Sequence, residues 1–309
     1  MKLFLNRKPL RDTPWGGGNL FVQALCDYLP NHDIQVTHEL APDIDVIFLQ
    51  DPRPDQHVRF GIHEAMTYRS VINPNVKIIH RINECDARKG TKGIDDMLHM
   101  CSGQTDRTVF VSEWMQDYFV TQKTHKWQSK NVHVVYNGVN KEHFKEREKL
   151  DNGKINIVAH HWSDNRMKGA NLYEYLDTFV GANPEFTFTY IGRHACDFKN
   201  ATVIEPLHGH ALGTELSRYS VYLTGTSWDP GPNHVLESVA CSIPTYALSQ
   251  GGGANVFVDE NHVIKRTNDF SEVEKILLSK KFTKNRLVVD TWEECVGKYA
   301  KIIKSMCNV

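Results

Sequence analysis

Thr224–Val258 reads TGTSWDPGPNHVLESVACSIPTYALSQGGGANVFV, and this stretch decides the fold. The apolar run Val221–Leu223 predicts a strand that ends where the quoted segment begins. A loop follows, and Pro232 or Asn233 opens a short helix, since Pro suits a first helical turn and Asn a cap. Leu236, Val239 and Ala240 face a core, and Ile243-Pro244 closes the helix. In open α/β sheets a strand, a loop and a helix in this order place ligands beyond the carboxyl end of the strand. Glu237 lies one turn into the helix among apolar neighbours, where a carboxylate needs partners. Two ligand hydroxyls suit it, because an ionised carboxylate accepts several hydrogen bonds. Asp229 stands eight residues earlier in the loop, and the helix start beside the loop glycine offers an anion site. The plainer alternative makes Glu237 a half-exposed helix residue and Asp229 a turn former.

Outward from this segment the same alternation continues. Strands are expected at Leu3–Leu5, Ile34–Thr37, Ile44–Leu49, Val76–Ile82, Thr108–Val111 and Val132–Tyr136, then at Ile155–Ala159 and Phe186–Ile191. Helices are expected from Leu20 to Leu29, at Ala170–Val180, His210–Tyr219 and Pro232–Cys241, and from Asp290 to Met306. Short apolar runs separated by helices indicate parallel sheets covered on both faces. Residues 141–150, KEHFKEREKL, are mostly charged and lead into the turn Asp151-Asn152-Gly153, so the domain junction falls there. Two successive doubly wound units fit better than one eightfold barrel.

Composition removes several functions. The chain has 309 residues, 40% hydrophobic and 24% charged, as expected of a protein with a buried core. Its 36 Lys+Arg against 37 Asp+Glu give a net charge of −1, which argues against a nucleic-acid partner. No apolar run is long enough for a transmembrane segment. The N-terminus has only Leu3-Phe4-Leu5 before charge returns, so a cytoplasmic location is expected. Seven scattered cysteines without C-x-x-C spacing argue against a disulfide framework or a zinc knot. Sixteen histidines include His160-His161, His208/His210 and His194 beside Cys196, but none has metal-site spacing, and no metal is expected. The P-loop pattern is absent, and Gly16–Gly18 lacks dinucleotide spacing.

The segment Asp229-Pro-Gly-Pro-Asn-His-Val-Leu-Glu237 resembles the acid-x₇-Glu motif of GT-B-fold retaining glycosyltransferases of the group 1 family, glycosyltransferase family 4. The first acid is Asp where that family usually has Glu, which shortens its reach. Five further landmarks follow in the family's order: Gly16-Gly17-Gly18, Val111-Ser112-Glu113-Trp114, Asn137-Gly138-Val139-Asn140, Lys168-Gly169 and Trp292-Glu293. They span nearly the whole chain.

The resemblance implies two Rossmann-like doubly wound domains facing a cleft. Residues 1–141 plus 290–309 would form the acceptor-side domain with a crossover helix, and 154–289 the donor domain. It implies transfer of a hexose-type sugar from a UDP- or GDP-sugar to a hydroxyl of a glycan or other acceptor, with retention. No cofactor and no divalent metal are expected. Lys168, Asp229 and Glu237 would carry the chemistry. Glu237 would hold the ribose hydroxyls, Asp229 the transferred sugar, and Lys168 the diphosphate whose charge grows as it leaves. Gly17, Gly18, Arg166 and Asn233 complete the donor set by resemblance. Arg166 substitutes for an arginine the family usually places upstream, where this chain has His160-His161-Trp162. On the acceptor side, strand register puts Asn83 where members often carry His, with His80, Arg81 and Glu84 as neighbouring contacts; His80 is also readable as a packing residue. Gly251–Gly253 reads equally as a second donor edge or a plain loop. Arg88–Gly93 reads as a solvated basic loop, with an anionic acceptor or weak peripheral membrane contact as the alternative. The absent arginine and Asn83 keep open a non-catalytic nucleotide-sugar binder, and a nucleotide-sugar epimerase of the same fold is a further alternative.

Overall fold

A computed structural model describes residues 1–10, 16–54, 58–122, 127 and 131–307. The chain forms two compact units, Met1–Gly138 with Trp292–Val309, and Val139–Thr291. Each is built on a six-stranded sheet in which every pairing is parallel.

Unit 1 contains β1 (Lys2–Leu5), α1 (Gly17–Tyr28), β2 (Gln35–Thr37), β3 (Val46–Leu49), α2 (Ile62–Val71), β4 (Lys77–Ile82), α3 (Asp86–Lys89), α4 (Ile94–Ser102), β5 (Arg107–Phe110), α5 (Glu113–Asp117) and β6 (Val132–Val134). Its strand order is β2-β1-β3-β4-β5-β6. Succession changes direction between β1 and β3, a switch point that opens a crevice at their carboxyl ends. α1 buries Phe21, Val22, Ala24 and Leu25. Against them lie Cys295, Val296, Tyr299, Ala300 and Ile303 of α10 (Trp292–Met306), which completes this unit. The Phe21 and Tyr299 rings meet at 5.0 Å.

Unit 2 contains β7 (Ile155–His161), α6 (Ala170–Ala182), β8 (Phe186–Gly192), β9 (Thr202–Ile204), α7 (Gly209–Leu216), β10 (Val221–Thr224), α8 (Asn233–Ala240), β11 (Thr245–Leu248), β12 (Val263–Ile264) and α9 (Ser271–Ser279). The order β12-β11-β10-β7-β8-β9 switches direction between β7 and β10, the Rossmann arrangement. Right-handed crossovers in opposite directions put α6 and α8 on opposite faces of the sheet. The core agrees: Leu172, Tyr173 and Leu176 of α6 share one apolar cluster with Val273 and Leu277 of α9. The chain enters and leaves this unit side by side, with Val139 bridging Thr291 and its N–H donating to the Asp290 carbonyl at 2.9 Å.

The expected strands form with shifts of a residue or two. The sequence missed β9, β11 and β12, and the Asn233 cap is corrected: Pro232 occupies the cap and Asn233 is the first helical residue. No helix among the described residues is long and apolar enough to cross a membrane.

Candidate active site

The site is built where β7 and β10 separate. Lys168 closes a short 3₁₀ turn, Arg166–Lys168, which Asn165 caps by accepting the Met167 N–H at 2.8 Å. Gly169 then takes φ +112°, a conformation that favours glycine, before α6 begins. A Cβ on Gly169 would lie 2.7 Å from the Gly225 backbone, and one on Gly225 2.9 Å from the Gly169 Cα. Two glycines therefore let the turn after β7 rest directly on the loop after β10. That contact brings Lys168 Nζ within 2.7 Å of Asp229 Oδ2. Thr226 Oγ1 donates to the same carboxylate oxygen at 3.2 Å.

Gly251–Gly253 is a backbone clamp on this loop. The Asp229 N–H donates to Gly251 O at 3.1 Å, and the Gly253 N–H donates to Asp229 O at 2.7 Å. A Cβ on Gly253 would lie 2.4 Å from Pro230 O, so the clamp needs glycine there.

Glu237 sits on α8 with its side chain 12% exposed, and its Oε2 lies 2.8 Å from His160 Nε2. The sequence reading overlooked this partner, because His160 lies 77 residues away. His160 is anchored through its backbone, whose N–H donates to the Tyr222 hydroxyl at 3.3 Å. His161 is fully inside and 2.6 Å from the Tyr173 hydroxyl, which in turn accepts the Gly225 N–H at 3.3 Å. A hydroxyl that accepts from an amide has its proton free to donate to imidazole, which suits a neutral His161. Burial, then the nearby His234 and Lys168, hold His161 well below the usual histidine range. The His161 and His234 rings meet at 4.4 Å, and His234 Nε2 contacts Thr224 Oγ1 at 2.9 Å. These histidines and Tyr173 tie β7, α6 and α8 together beneath Lys168, Asp229 and Glu237.

Arg166 does not join that group. Its guanidinium pairs with Glu174 at 2.9 Å and donates to Ala195 O at 3.0 Å, on the exposed outer side of α6. A different cation lies against the His160-His161-Trp162 stretch: Arg193, just after β8, sits 4.2 Å above the Trp162 ring.

In unit 1, Gly16 caps α1 without a side-chain hydrogen bond, and Gly17 and Gly18 form the first turn. A Cβ on Gly18 would stand 3.7 Å from Gln50 and 3.9 Å from Asn83, so Asn83 does reach the switch-point crevice. Asn6 shapes its floor, accepting the Gln50 N–H at 2.8 Å. Glu84 pairs with Arg53 at 2.8 Å and with Lys89. Asp51 engages Arg53 through both oxygens; burial opposes its charge, but Arg53 holds the carboxyl below the usual range.

His80 and Arg81 correct the expected acceptor contacts. β4 is a central strand with both faces covered, and His80 is 0% exposed with neither ring nitrogen hydrogen-bonded. Burial pushes its pKa down to about 4. Arg81 donates to Asn137 Oδ1 at 2.7 Å and to Gln50 Oε1 at 3.3 Å, with its guanidinium 3.9 Å over the Phe21 ring. Both are interior groups; Arg81 orders the residues around the crevice.

No family model and no curated protein sequence matches the chain. Solved structures do. Sucrose-phosphate synthase from Thermosynechococcus elongatus superposes with TM-score 0.73 over 99% of both chains, at 13% identity. The fold is GT-B. Anabaena HepE in complex with UDP and glucose gives 0.64 at 12% identity, over 99% of this chain and 97% of that one. The pneumococcal O-GlcNAc transferase GtfA with UDP and GlcNAc gives 0.60 at 14% identity, over 85% and 57%. The GT-B neighbours are thus glycosyltransferases, some holding UDP or a UDP-sugar.

Proposed function

We propose that the chain is a retaining glycosyltransferase that moves a sugar from a nucleoside-diphosphate sugar, UDP-linked in the first instance, to an acceptor hydroxyl. One observation carries the reading: Lys168, Asp229 and Glu237 all lie around the β7/β10 switch point, with the ammonium 2.7 Å from one carboxylate. Glu237, oriented by His160, accepts hydroxyls of the ribose. Asp229 accepts from the transferred sugar. Lys168 meets the diphosphate and stabilises the charge that develops as it leaves, and in a site shielded from water such a preorganised cation is worth several kcal/mol. The start of α8 adds amides and a helix dipole of the right sign. No divalent metal is needed for these steps. The leaving phosphate oxygen takes the acceptor proton, so the reaction uses no side-chain base.

Incubation with UDP- and GDP-sugars and a panel of hydroxyl acceptors, read by mass spectrometry, tests this. Glycosylated acceptor with released nucleoside diphosphate is expected, and Glu237→Ala abolishes it. Near-normal transfer by Glu237→Ala would sink the assignment. Donor binding without any released diphosphate would mark a nucleotide-sugar binder instead.

A further inference from the structure

A second site lies behind the Asp229 loop, on the other face of the sheet from Glu237. It is a cavity of about 290 Å³ walled by the Arg166-Met167 turn, whose arginine is paired with Glu174, the start of α6, the loop from Gly225 to Trp228, the end of β11 and the residues between β12 and α9. Neither Lys168, Asp229 nor Glu237 lines it. Leu172, Leu248 and Phe270 make an apolar floor. Arg266 stands in one wall, where its Nη1 donates to Gln250 Oε1 at 2.8 Å and to Ser227 Oγ at 3.3 Å. Those neutral partners fix the plane of the guanidinium without cancelling its charge. Among the described residues no carboxylate pairs with Arg266, and its Nε and Nη2 keep their donors unused.

Two more features face the same space. α6 begins here just after its Gly169 cap, which offers no side-chain hydrogen bond, and its 13 residues direct a positive dipole end toward the cavity. Trp228 is 39% exposed and sits at φ +53°, a region that costs a non-glycine residue about 1–2 kcal/mol. The Trp228 N–H, donating to Gln250 O at 2.9 Å, fixes this conformation and presents an indole at the rim.

We propose that this cavity binds a small phosphomonoester of a sugar or polyol and through it regulates transfer. The phosphate takes the free fork of Arg266, which matches its oxygens two at a time, together with the α6 amides. The carbon skeleton lies against Trp228 and the apolar floor. The volume stands at the bottom of the roughly 300–1,000 Å³ range of ligand pockets, too small for a nucleotide sugar. Occupancy reaches the transfer site by two short paths. The Ser227 N–H donates to Met167 O at 2.9 Å, in the turn that carries Lys168, and Trp228 immediately precedes Asp229. A ligand that prefers one arrangement of this loop therefore shifts the population of Lys168–Asp229 geometries.

Titration calorimetry of the full chain with ribose 5-phosphate, ribose and inorganic phosphate tests the proposal. Ribose 5-phosphate is expected to bind at least tenfold more tightly than either of the others and to form a ternary complex with UDP, each ligand changing the affinity of the other by the same factor. Arg266→Gln weakens it tenfold or more, Arg266→Lys less. A readout independent of Arg266 is indole fluorescence, which ribose 5-phosphate shifts in the parent chain and not in Trp228→Phe. Absent binding, equal affinity in Arg266→Gln, or displacement by UDP would each overturn it. Displacement by UDP would leave the transfer reading intact, whereas loss of transfer in Glu237→Ala leaves this site untouched.

Discussion

The Lys168–Asp229 pair is the sharpest place to test how the site is held. The Lys168 side chain is 19% exposed and that of Asp229 7%, with 2.7 Å between Nζ and Oδ2. At an effective dielectric of 20, two unit charges about 4 Å apart attract by roughly 4 kcal/mol. Removing one partner of a fully buried pair costs about 3–5 kcal/mol, because the other charge stays desolvated. The remaining solvent contact of Lys168 lowers that, so Lys168→Met should destabilise the chain by about 2–3 kcal/mol. Asp229→Asn should cost somewhat less, since the residual group is a lysine that can turn toward water. In the double variant no uncompensated charge remains, and the cycle should give a coupling of about 1.5–2 kcal/mol. Urea unfolding of the four full-length proteins, followed by circular dichroism, measures it. A coupling under about 0.5 kcal/mol would show that the pair is solvent-screened, and the argument from burial would fail.

Four further outcomes follow from the geometry. Gly225→Ala places a Cβ 2.8 Å from Leu172 Cβ and 2.9 Å from Gly169 Cα, so a loss of about 1–3 kcal/mol in urea unfolding is expected, with weaker UDP binding; unchanged values for both would refute the close-contact argument. Gly18→Ala meets only ordinary contacts at 3.7 and 3.9 Å and gains helix propensity of up to about 1 kcal/mol, so stability holds or rises while KM for the donor increases. His80 is lowered to about 4 in the folded chain from an ordinary 6.5, so its neutral burial contributes fully above pH 6.5 and is lost as pH falls toward 4. That loss is about 3 kcal/mol, and His80→Leu should flatten the acid limb of a stability–pH curve; an unchanged limb would place the acid sensitivity elsewhere. Transfer should persist in excess EDTA, measured as released UDP, and a complete loss restored by a divalent ion would overturn the metal-free reading.

Most strands buried on both faces were legible in the sequence, whereas β11 was missed although it is buried throughout, because Thr245-Tyr246-Ala247-Leu248 is short and runs straight on from the turn after α8. Val46–Leu49 and Val221–Thr224 are buried at every position, so their apolar runs stand out. Thr202–Ile204 is an exposed or half-exposed edge and Val263–Ile264 has two residues, too little for any pattern. α2 stayed hidden because only Ile62, Ala65 and Tyr68 of its ten residues are buried. At the site, the loop–helix pattern pointed to Asp229 and Glu237, and the family resemblance to Lys168, in each case without the partner groups. Which groups pair with them depends on contacts 61 and 77 residues apart, and those are set by sheet order rather than by any short motif. The packing alternative for His80 is the one the structure bears out, and Arg81 is buried with it, as the covering of both sheet faces already implied for a central strand.

The placement of α10 sets an order of events during synthesis. Unit 2 is one continuous stretch, complete once Thr291 has been made. Unit 1 has its sheet residues far earlier, yet Phe21 and Phe48 find Tyr299 only when the last helix emerges. The half begun first on the ribosome is thus the half finished last. Until then the apolar face of α1 that α10 covers lies open to water, the kind of transiently exposed surface that makes partly folded chains prone to aggregate. A stalled or truncated chain ending near residue 291 would therefore carry a finished second unit behind an aggregation-prone first one.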